Sequence, residues 1–377
     1  MEIRDPIHGN MEINSVEQKI IGTPEMQRLR YIKQLDMSYL VFPGTNHSRF
    51  EHSLGTMQVT KELARELYGN DETDFSYVGL LHDIGHGPFS HLTENIIEER
   101  LHRNHEQIGE ARVRDSGIKD IITDSGLQFR KMIKYFKESN SIDIVGGIIG
   151  SDRIDYLMRD SHYTGVAYGI IDYERIKSSI VLSKGRVALL ESGVSGAESM
   201  LIARYFMHSN VYTHHTKIIA SKMLQYAIRR ALDGSIFDAA ELSEMCDDQL
   251  ISRLAASGID DVSETVERIR NRRLFKRAYY GKVGPDVKVR ELEDAIRNAG
   301  FKDKEFSVHI VSLGGGRDDI AVVDSGGSAI GKLTDISALI KTLSEILISS
   351  RMLLVACDAG NKDKLGRTVK RFLSDYD

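Results

Sequence analysis

Seven of the thirteen histidines (47, 52, 82, 86, 91, 102 and 105) stand in the 59 residues from His47 to His105, where an even spread over 377 positions would leave about two. Imidazole is the commonest protein metal ligand and the side chain that titrates nearest neutrality, so such a cluster points to a metal or proton-transfer site. Three strings carry it: Arg49-Phe50-Glu51-His52, then His82-Asp83-Ile84-Gly85-His86-Gly87-Pro88-Phe89-Ser90-His91, then Ser151-Asp152-Arg153-Ile154-Asp155-Tyr156. One imidazole, an adjoining imidazole and carboxylate, and a distant carboxylate would give a mixed nitrogen and oxygen donor set around one divalent cation. Such a set suits Mg, Mn, Fe, Co or Ni ions better than a closed thiolate zinc cage, and leaves positions for water and substrate. An open metal of this kind polarises a phosphoryl oxygen and lowers the pKa of its water. Taken singly, each residue is weak evidence, because a lone helical histidine is more often a hydrogen-bonded structural residue. The joint pattern is what points to chemistry.

Segments so far apart must be brought together by regular elements. Residues 3–21 alternate around Asp5-Pro6-Ile7-His8-Gly9-Asn10 and read as a hairpin or turn-rich entry. Thr23-Pro24 has the form of an N-cap followed by proline at N1, and Met26, Leu29, Ile32 and Leu35 continue at helical spacing until Pro43-Gly44. Further helices are predicted over 54–68, 77–83, 90–112, 129–139, 142–161 and 197–232, with a β-hairpin over 181–190 turning at Gly185. From about Asp233 the texture changes: 306–313, 319–324 and 352–356 read as strands, and 337–349 and 362–373 as amphipathic helices. The expected fold is mainly α, a helical core over residues 1–235 with small β-hairpins, followed by a smaller α+β accessory region over 236–377.

Composition narrows the function class. At 41% hydrophobic and 28% charged residues, the chain is neither disordered, collagen-like nor coiled-coil. Fifty basic and fifty-five acidic side chains leave a net charge of -5, which gathers neither nucleic acid nor anionic membrane, so phosphate binding must be local. Cys246 and Cys357 fit neither a disulfide framework nor a CxxC metal site and read as ordinary thiols of a reducing compartment. Met1 to Pro6 has no apolar signal core, and no apolar run approaches the roughly 20 residues that span a bilayer. A soluble cytoplasmic protein with no membrane partner is expected.

The series His…His-Asp…Asp, together with Asp5 to Gly9, Gln27 to Leu35, Val41 to Gly44, Ser48 to Gly55 and His82 to His91, resembles the HD-domain metal-dependent phosphohydrolases. Within them it is most similar to the deoxynucleoside triphosphate (dNTP) triphosphohydrolase branch, densely over residues 3–220 and more weakly beyond. The resemblance implies metal binding by His52, His82, Asp83 and Asp152. It implies phosphate contacts by Arg49, Arg153 and Tyr156, sugar 3′-hydroxyl contacts by Gln34 and Asp160, and closure of the nucleoside pocket by His208 and Tyr212. His86, His91 and His105 resemble supporting and acid–base histidines, with His105 as general acid and Glu94, where the branch has aspartate, orienting it. Elementary chemistry agrees: a triphosphate carries about four negative charges that guanidinium groups bind bidentately, and the departing 5′ oxygen needs a proton donor. If the third string is helical, Asp152, Tyr156 and Asp160 share one face.

Three functions fit these residues. The first is hydrolysis of dNTPs to deoxynucleoside and inorganic triphosphate, favoured by the sugar contacts. The second is phosphomonoester or phosphodiester hydrolysis at the same centre, and the third a nucleotide-sensing or nucleic-acid-binding module without turnover. Members of the branch assemble, so a homo-oligomer is expected. A nucleotide effector is possible in principle, but Gly22 lacks the side chain with which the branch reads a guanine, leaving Gln27 and Arg30 to serve another effector or pack an interface. Arg268 to Arg277, with Phe275 and Tyr279 interleaved, could hold RNA, single-stranded DNA or an anionic effector, although a solvated helix face is the commoner meaning. Gly326 to Lys332 has Walker A spacing, but Leu333 follows where a hydroxyl must hold Mg²⁺, so it reads as a glycine-rich β-turn. Gly314 to Gly316 reads as a connection, and His214 and His215, on their own, as exposed or capping residues.

Overall fold

The computed structural model describes residues 1–69, 74–137, 144–313 and 319–376. At the entry, β1 (Glu2–Asp5) and β2 (Gly9–Glu12) pair antiparallel, and the Asp5 carboxylate closes their turn by accepting from the Ile7 and His8 amides. The second half of the predicted entry is instead a helix, α1 (Ser15–Ile21), started by an Asn14 capping box with Glu17. The helix predicted onward from Thr23 is also shorter: α2 (Pro24–Arg28) tightens into a 3₁₀ turn at Leu29–Tyr31. The chain then straightens, because the Gln34 amide bonds to the His47 carbonyl and the Arg49 amide to that of Ile32. A second 3₁₀ turn spans Asp36–Leu40.

Seven helices follow: α3 (Arg49–Tyr68), which packs against both α4 (Asp74–Leu81) and α9 (Ser151–Thr164), and between these two in the chain α5 (His91–Leu101), α6 (His105–Asp115), α7 (Gly117–Asp124) and α8 (Phe129–Lys137). Gly55 lets α3 lie against α9, since a methyl there would stand 1.9 Å from Asp155 Oδ1 and 2.4 Å from Arg159 Nη2. The stretch predicted as one helix over 90–112 is two. His102 turns left-handed at φ 54°, and Asn104 restarts the chain with a capping box to Gln107. The end of the helix predicted over 129–139, residues 142–143 and Gly314 to Gly316 lie outside the described residues, and the helix predicted over 142–161 begins only at Ser151, because 144–150 form turns.

α10 (Tyr173–Ser179) leads into the expected hairpin, β3 (Ile180–Ser183) and β4 (Arg186–Leu190), with Gly185 at φ 76° in its turn. The helix predicted over 197–232 is interrupted: α11 (Val194–Met207) passes through a π-turn at His208–Tyr212 before α12 (His215–Asp233), which His214 caps by accepting from the Thr216 amide. Beyond it come α13 (Ala239–Glu244), α14 (Asp247–Ala255), α15 (Asp260–Arg270), β5 (Lys276–Lys282), α16 (Val289–Asn298) and β6 (Phe306–Ser312). The chain continues through β7 (Ala321–Val323), β8 (Ala329–Lys332), α17 (Leu333–Ile336), α18 (Ala338–Ser349), β9 (Arg351–Cys357) and α19 (Lys362–Leu373). The glycine-rich stretch is thus a turn, held by the Asp324 carboxylate accepting from Gly326 and Ser328, that runs into strand β8.

A three-stranded antiparallel sheet has the order β5-β9-β6, and a four-stranded one the order β3-β4-β7-β8. In the second, β4 and β7 run parallel, Leu189 opposite Val322. The architecture is the expected mainly α fold with small sheets. One apolar core joins α1 to α4, α9 and α11 to Ile320, Val322, Leu333 and Ile340. Another joins α5 and α12 to Leu250, Leu254, Val262 and Val266, and to Val311 and Leu354 of the β5-β9-β6 sheet. Among the described residues no helix is long and apolar enough to cross a membrane.

Candidate metal centre and active site

Three segments deliver donor atoms to one point. His52 Nε2, on α3, lies 3.1 Å from Asp152 Oδ1, on α9, and 3.5 Å from Asp83 Oδ2. His82 Nε2, just after α4, lies 3.4 Å from Asp83 Oδ1 and 3.7 Å from Asp152 Oδ1. The fit to a cation is tested by His82: its Nδ1 donates to the Gly79 carbonyl at 2.8 Å, which leaves the lone pair on Nε2. That atom is buried without a hydrogen-bond partner. A buried, outward-pointing lone pair beside two carboxylates is a ligand's arrangement. Two imidazoles with two carboxylates suit a divalent ion of the borderline-to-hard kind.

Behind the cluster stands a buried ionic network. Asp155 Oδ2 accepts from His52 Nδ1 at 2.7 Å, and Oδ1 lies 2.6 Å from His8 Nε2 in the entry turn. Arg159 donates to both Asp155 oxygens at 2.9 Å and to Asp5 Oδ2 at 2.8 Å. A carboxylate on the far nitrogen fixes the orientation and tautomer of a ligand histidine. Burial opposes charge on His52, yet the hydrogen bonds that Asp152 and Asp155 accept from it outweigh this and lift its pKa to about 10. Asp83 is likewise buried, and Arg49 and His82 hold its carboxyl well below the usual range.

The turn after Asp83 places the other histidines. Gly85 allows α6 to approach, since a Cβ there would meet the His105 carbonyl oxygen at 1.9 Å and the Gly109 nitrogen at 2.4 Å. His105 therefore stacks on His86 with ring centroids 4.1 Å apart. Its Nδ1 is bonded to Glu94 Oε1, and Glu94 Oε2 lies 2.7 Å from Nδ1 of the exposed His91. Burial works against a proton on both rings. At His105 the Glu94 hydrogen bond outweighs it and raises the pKa, whereas at His86 nearby Arg49 and His105 add to it and drive the pKa well down. Two stacked imidazoles are thus set apart, one held towards its protonated form and the other towards its neutral form.

A cavity of about 520 Å³ opens beside the cluster, and Gln34, Arg49, Arg153, Tyr156, Asp160, His208 and Tyr212 all line it, with His82, Asp83, Asp152, His86, His91 and His105. His52 and Glu94 stand behind this wall rather than in it. Arg49 is 2% exposed; its Nε donates to Ser90 Oγ at 2.7 Å, Nη1 bonds Asp83, and Nη2 is buried without a partner. Asp160 accepts from the Tyr212 hydroxyl at 2.7 Å and lies 2.8 Å from His47 Nε2. Gln34 Oε1 is a buried acceptor without a partner. Burial, with Arg204 and Arg153 nearby, pushes His208 down to about 3, so this ring is neutral.

Sequence reasoning missed several of these groups. Arg204 and Lys217 line the cavity, and Lys217 pairs with Asp36 at 3.0 Å. Arg204 stands four residues before His208, a spacing that could have revealed it. His8 and His47 act through tertiary contacts, whereas Asp155 and Arg159, four apart on α9, pair within the helix and reach His8, His52 and Asp5 from it. Away from the cavity, Gln27 donates to the Ile21 carbonyl at 2.7 Å and accepts from Arg30, which stacks on Phe50. In the basic stretch, Arg268 pairs with Asp358, Arg273 with Glu267, and Arg272 donates to the Leu40 carbonyl.

A helical frame that gathers two histidines and two aspartates beside a cavity into which Arg49, Arg153, Arg204 and Lys217 also face has the chemistry of a metal-centred phosphate-ester site. Residues 49–159 match the HD domain model and residues 171–374 that of the HD associated region. The chain belongs to the HD-domain family of metal-dependent phosphohydrolases. It is 38% identical to a protein of Methanocaldococcus jannaschii over 280 residues, 73% of this chain and 58% of that one. It is 28% identical to the Homo sapiens deoxynucleoside triphosphate triphosphohydrolase SAMHD1 over 357 residues, 76% of this chain and 56% of that one. The chain therefore spans less than three-fifths of the length of these two relatives. Among solved structures, a protein of Aquifex aeolicus superposes with a TM-score of 0.78 at 29% identity, over 98% of this chain and 99% of that one. A phosphohydrolase of Bacteroides thetaiotaomicron gives 0.78 at 25% identity, over 95% and 99%.

Proposed function

We propose that the protein hydrolyses dNTPs to a deoxynucleoside and inorganic triphosphate, with a divalent metal ion held by His52, His82, Asp83 and Asp152. When bound, that ion would supply Lewis-acid polarisation of a phosphoryl oxygen and a lowered pKa for attacking water. The observation that carries the substrate is that one cavity presents both a cationic donor and hydroxyl acceptors. The partnerless Nη2 of Arg49 belongs to a guanidinium that bonds the donor Asp83, and in the same cavity Gln34 Oε1 and the Asp160 carboxylate offer acceptors to a sugar hydroxyl. Arg49 and Arg153 neutralise phosphate charge, and Tyr156 seats the chain between them. His105 gives its proton to the departing 5′ oxygen, and Glu94 stabilises the imidazolium until then. Gln34 and Asp160, steadied by Tyr212 and His47, orient the sugar. The name of the human relative supports the same substrate class. A homo-oligomer is part of this proposal.

Chromatography of products tests it. The protein is incubated with each dNTP, each NTP and a generic phosphodiester in Mg²⁺, Mn²⁺ or Co²⁺. Intact triphosphate with free deoxynucleoside is the expected result. Orthophosphate or diester cleavage would move the activity to another ester, and tight binding without product would make the chain a sensor.

A further inference from the structure

A strained turn lies between His86 and His91, which line the cavity. Phe89 and Ser90 both have φ of 55°, left-handed conformations that non-glycine residues rarely adopt, and both are buried. Something must hold them there. The Phe89 amide donates to Asp247 Oδ1 at 2.6 Å, and Asp247 Oδ2 accepts the Lys33 amide at 3.0 Å. Asp247 is 4% exposed and opens α14, more than 150 residues along the chain from either partner. Ser90 then donates to the Lys33 carbonyl at 2.7 Å and accepts from Arg49 Nε at 2.7 Å. A single carboxylate thus ties the residue before Gln34 to the residue before Ser90, and Ser90 carries the connection to Arg49.

We propose that Asp247, supplied by the HD associated region, is a positioning residue for the active site: it straps the Lys33–Gln34 segment to the Phe89–Ser90 turn and so aims the Gln34 amide and the Arg49 guanidinium. The inference rests on the dNTP reading for what is aimed at, and on the hydrogen bonds alone for the strap. Both oxygens must accept, so the strap needs an ionised carboxylate. Burial raises the Asp247 pKa to about 6, against the Lys33 and Phe89 amides and the Lys33 charge. The other charged or titratable groups facing it are Asp248 on its own helix, Arg28 from α2 and Tyr39 from the second 3₁₀ turn. The strap is whole above that pH and opens as pH falls through it.

Asp247→Asn keeps the shape but turns an amide N–H₂ towards one of the two donors. In the full-length protein, hydrogen exchange of the Lys33 and Phe89 amides, read by fragmentation mass spectrometry and corrected for intrinsic rate, should lose protection in the variant. kcat/KM should fall about 10- to 100-fold, as misplacement of positioning groups does, with metal content unchanged. Asp248→Asn, an equal loss of charge at an exposed neighbour, should leave the protection of both amides intact. In the wild type the two amides should lose protection together as pH drops through about 6, a test that needs no folded variant. Unchanged protection in Asp247→Asn, or no such step in the wild type, overturns the strap; lost protection with kcat/KM within twofold overturns its positioning role. If the wild type releases no triphosphate, the proposed function fails, while amide protection still decides the strap.

Discussion

Asparagine at position 155 keeps the outline of the aspartate but not its four acceptor contacts. Oδ1 meets His8 Nε2 at 2.6 Å and Arg159 Nη2 at 2.9 Å, and Oδ2 meets His52 Nδ1 at 2.7 Å and Arg159 Nε at 2.9 Å. Whichever way the amide turns, its N–H₂ faces an Arg159 donor and a histidine. Arg159, 0% exposed, is left with Asp5 as its only full counter-charge. Breaking a buried pair from one side costs about 3–5 kcal/mol, and Asp155→Asn should lose about that much in urea unfolding with chelator present. His52, no longer held from behind, should bind metal about 10- to 100-fold more weakly, the usual cost of removing such a support. Metal content after dialysis against graded Mn²⁺ buffers measures this separately. A variant that loses less than about 1 kcal/mol and holds Mn²⁺ within twofold of wild type would refute the reasoning.

Asp83→Ala should abolish metal uptake and turnover together, checked by elemental analysis beside triphosphate release. His105→Ala should keep the metal and lose about 10²- to 10⁴-fold in rate; an unchanged rate removes it as the proton donor. Because Glu94 raises the His105 pKa, the donor is present below that pKa and lost as pH rises through it. Glu94→Gln should therefore shift the alkaline limb of the rate profile to lower pH. Gly85→Ala should push α6 off the turn and cut the rate about tenfold or more without emptying the metal site, which paired metal and kinetic measurements would separate.

The strings around His52, His82 and Asp152 were legible because metal and phosphate chemistry needs those residue types together. The helices carrying them were legible as apolar periodicity, but their breaks were not. His102 and Asn104 interrupt one predicted helix through a left-handed residue and a capping box that periodicity does not register. The four helices between Ala239 and Asn298 were not predicted, although Leu250, Leu254, Val262, Val266 and Ile269 stand at helical spacing: each is short, and they adjoin strand-like segments. The i, i+4 pair of Asp155 and Arg159 was open to reading on one helix face, but its links to His8 and Asp5, 147 and 154 positions away, leave no periodic trace. Asp247 lies farther still from its partners, and only the folded backbone shows which amides it meets.

The parallel pairing of β4 with β7 bears on any shortened version of this protein. A piece ending near residue 235 would leave Leu189 and Leu190 without the strand that now covers them, an unprotected edge that invites pairing with another molecule. It would also bare the stripe of α12 that Leu250, Leu254 and Val266 seal. Precipitation of such a piece would report the loss of a lid over greasy surface, and would say nothing about whether its histidines can still work.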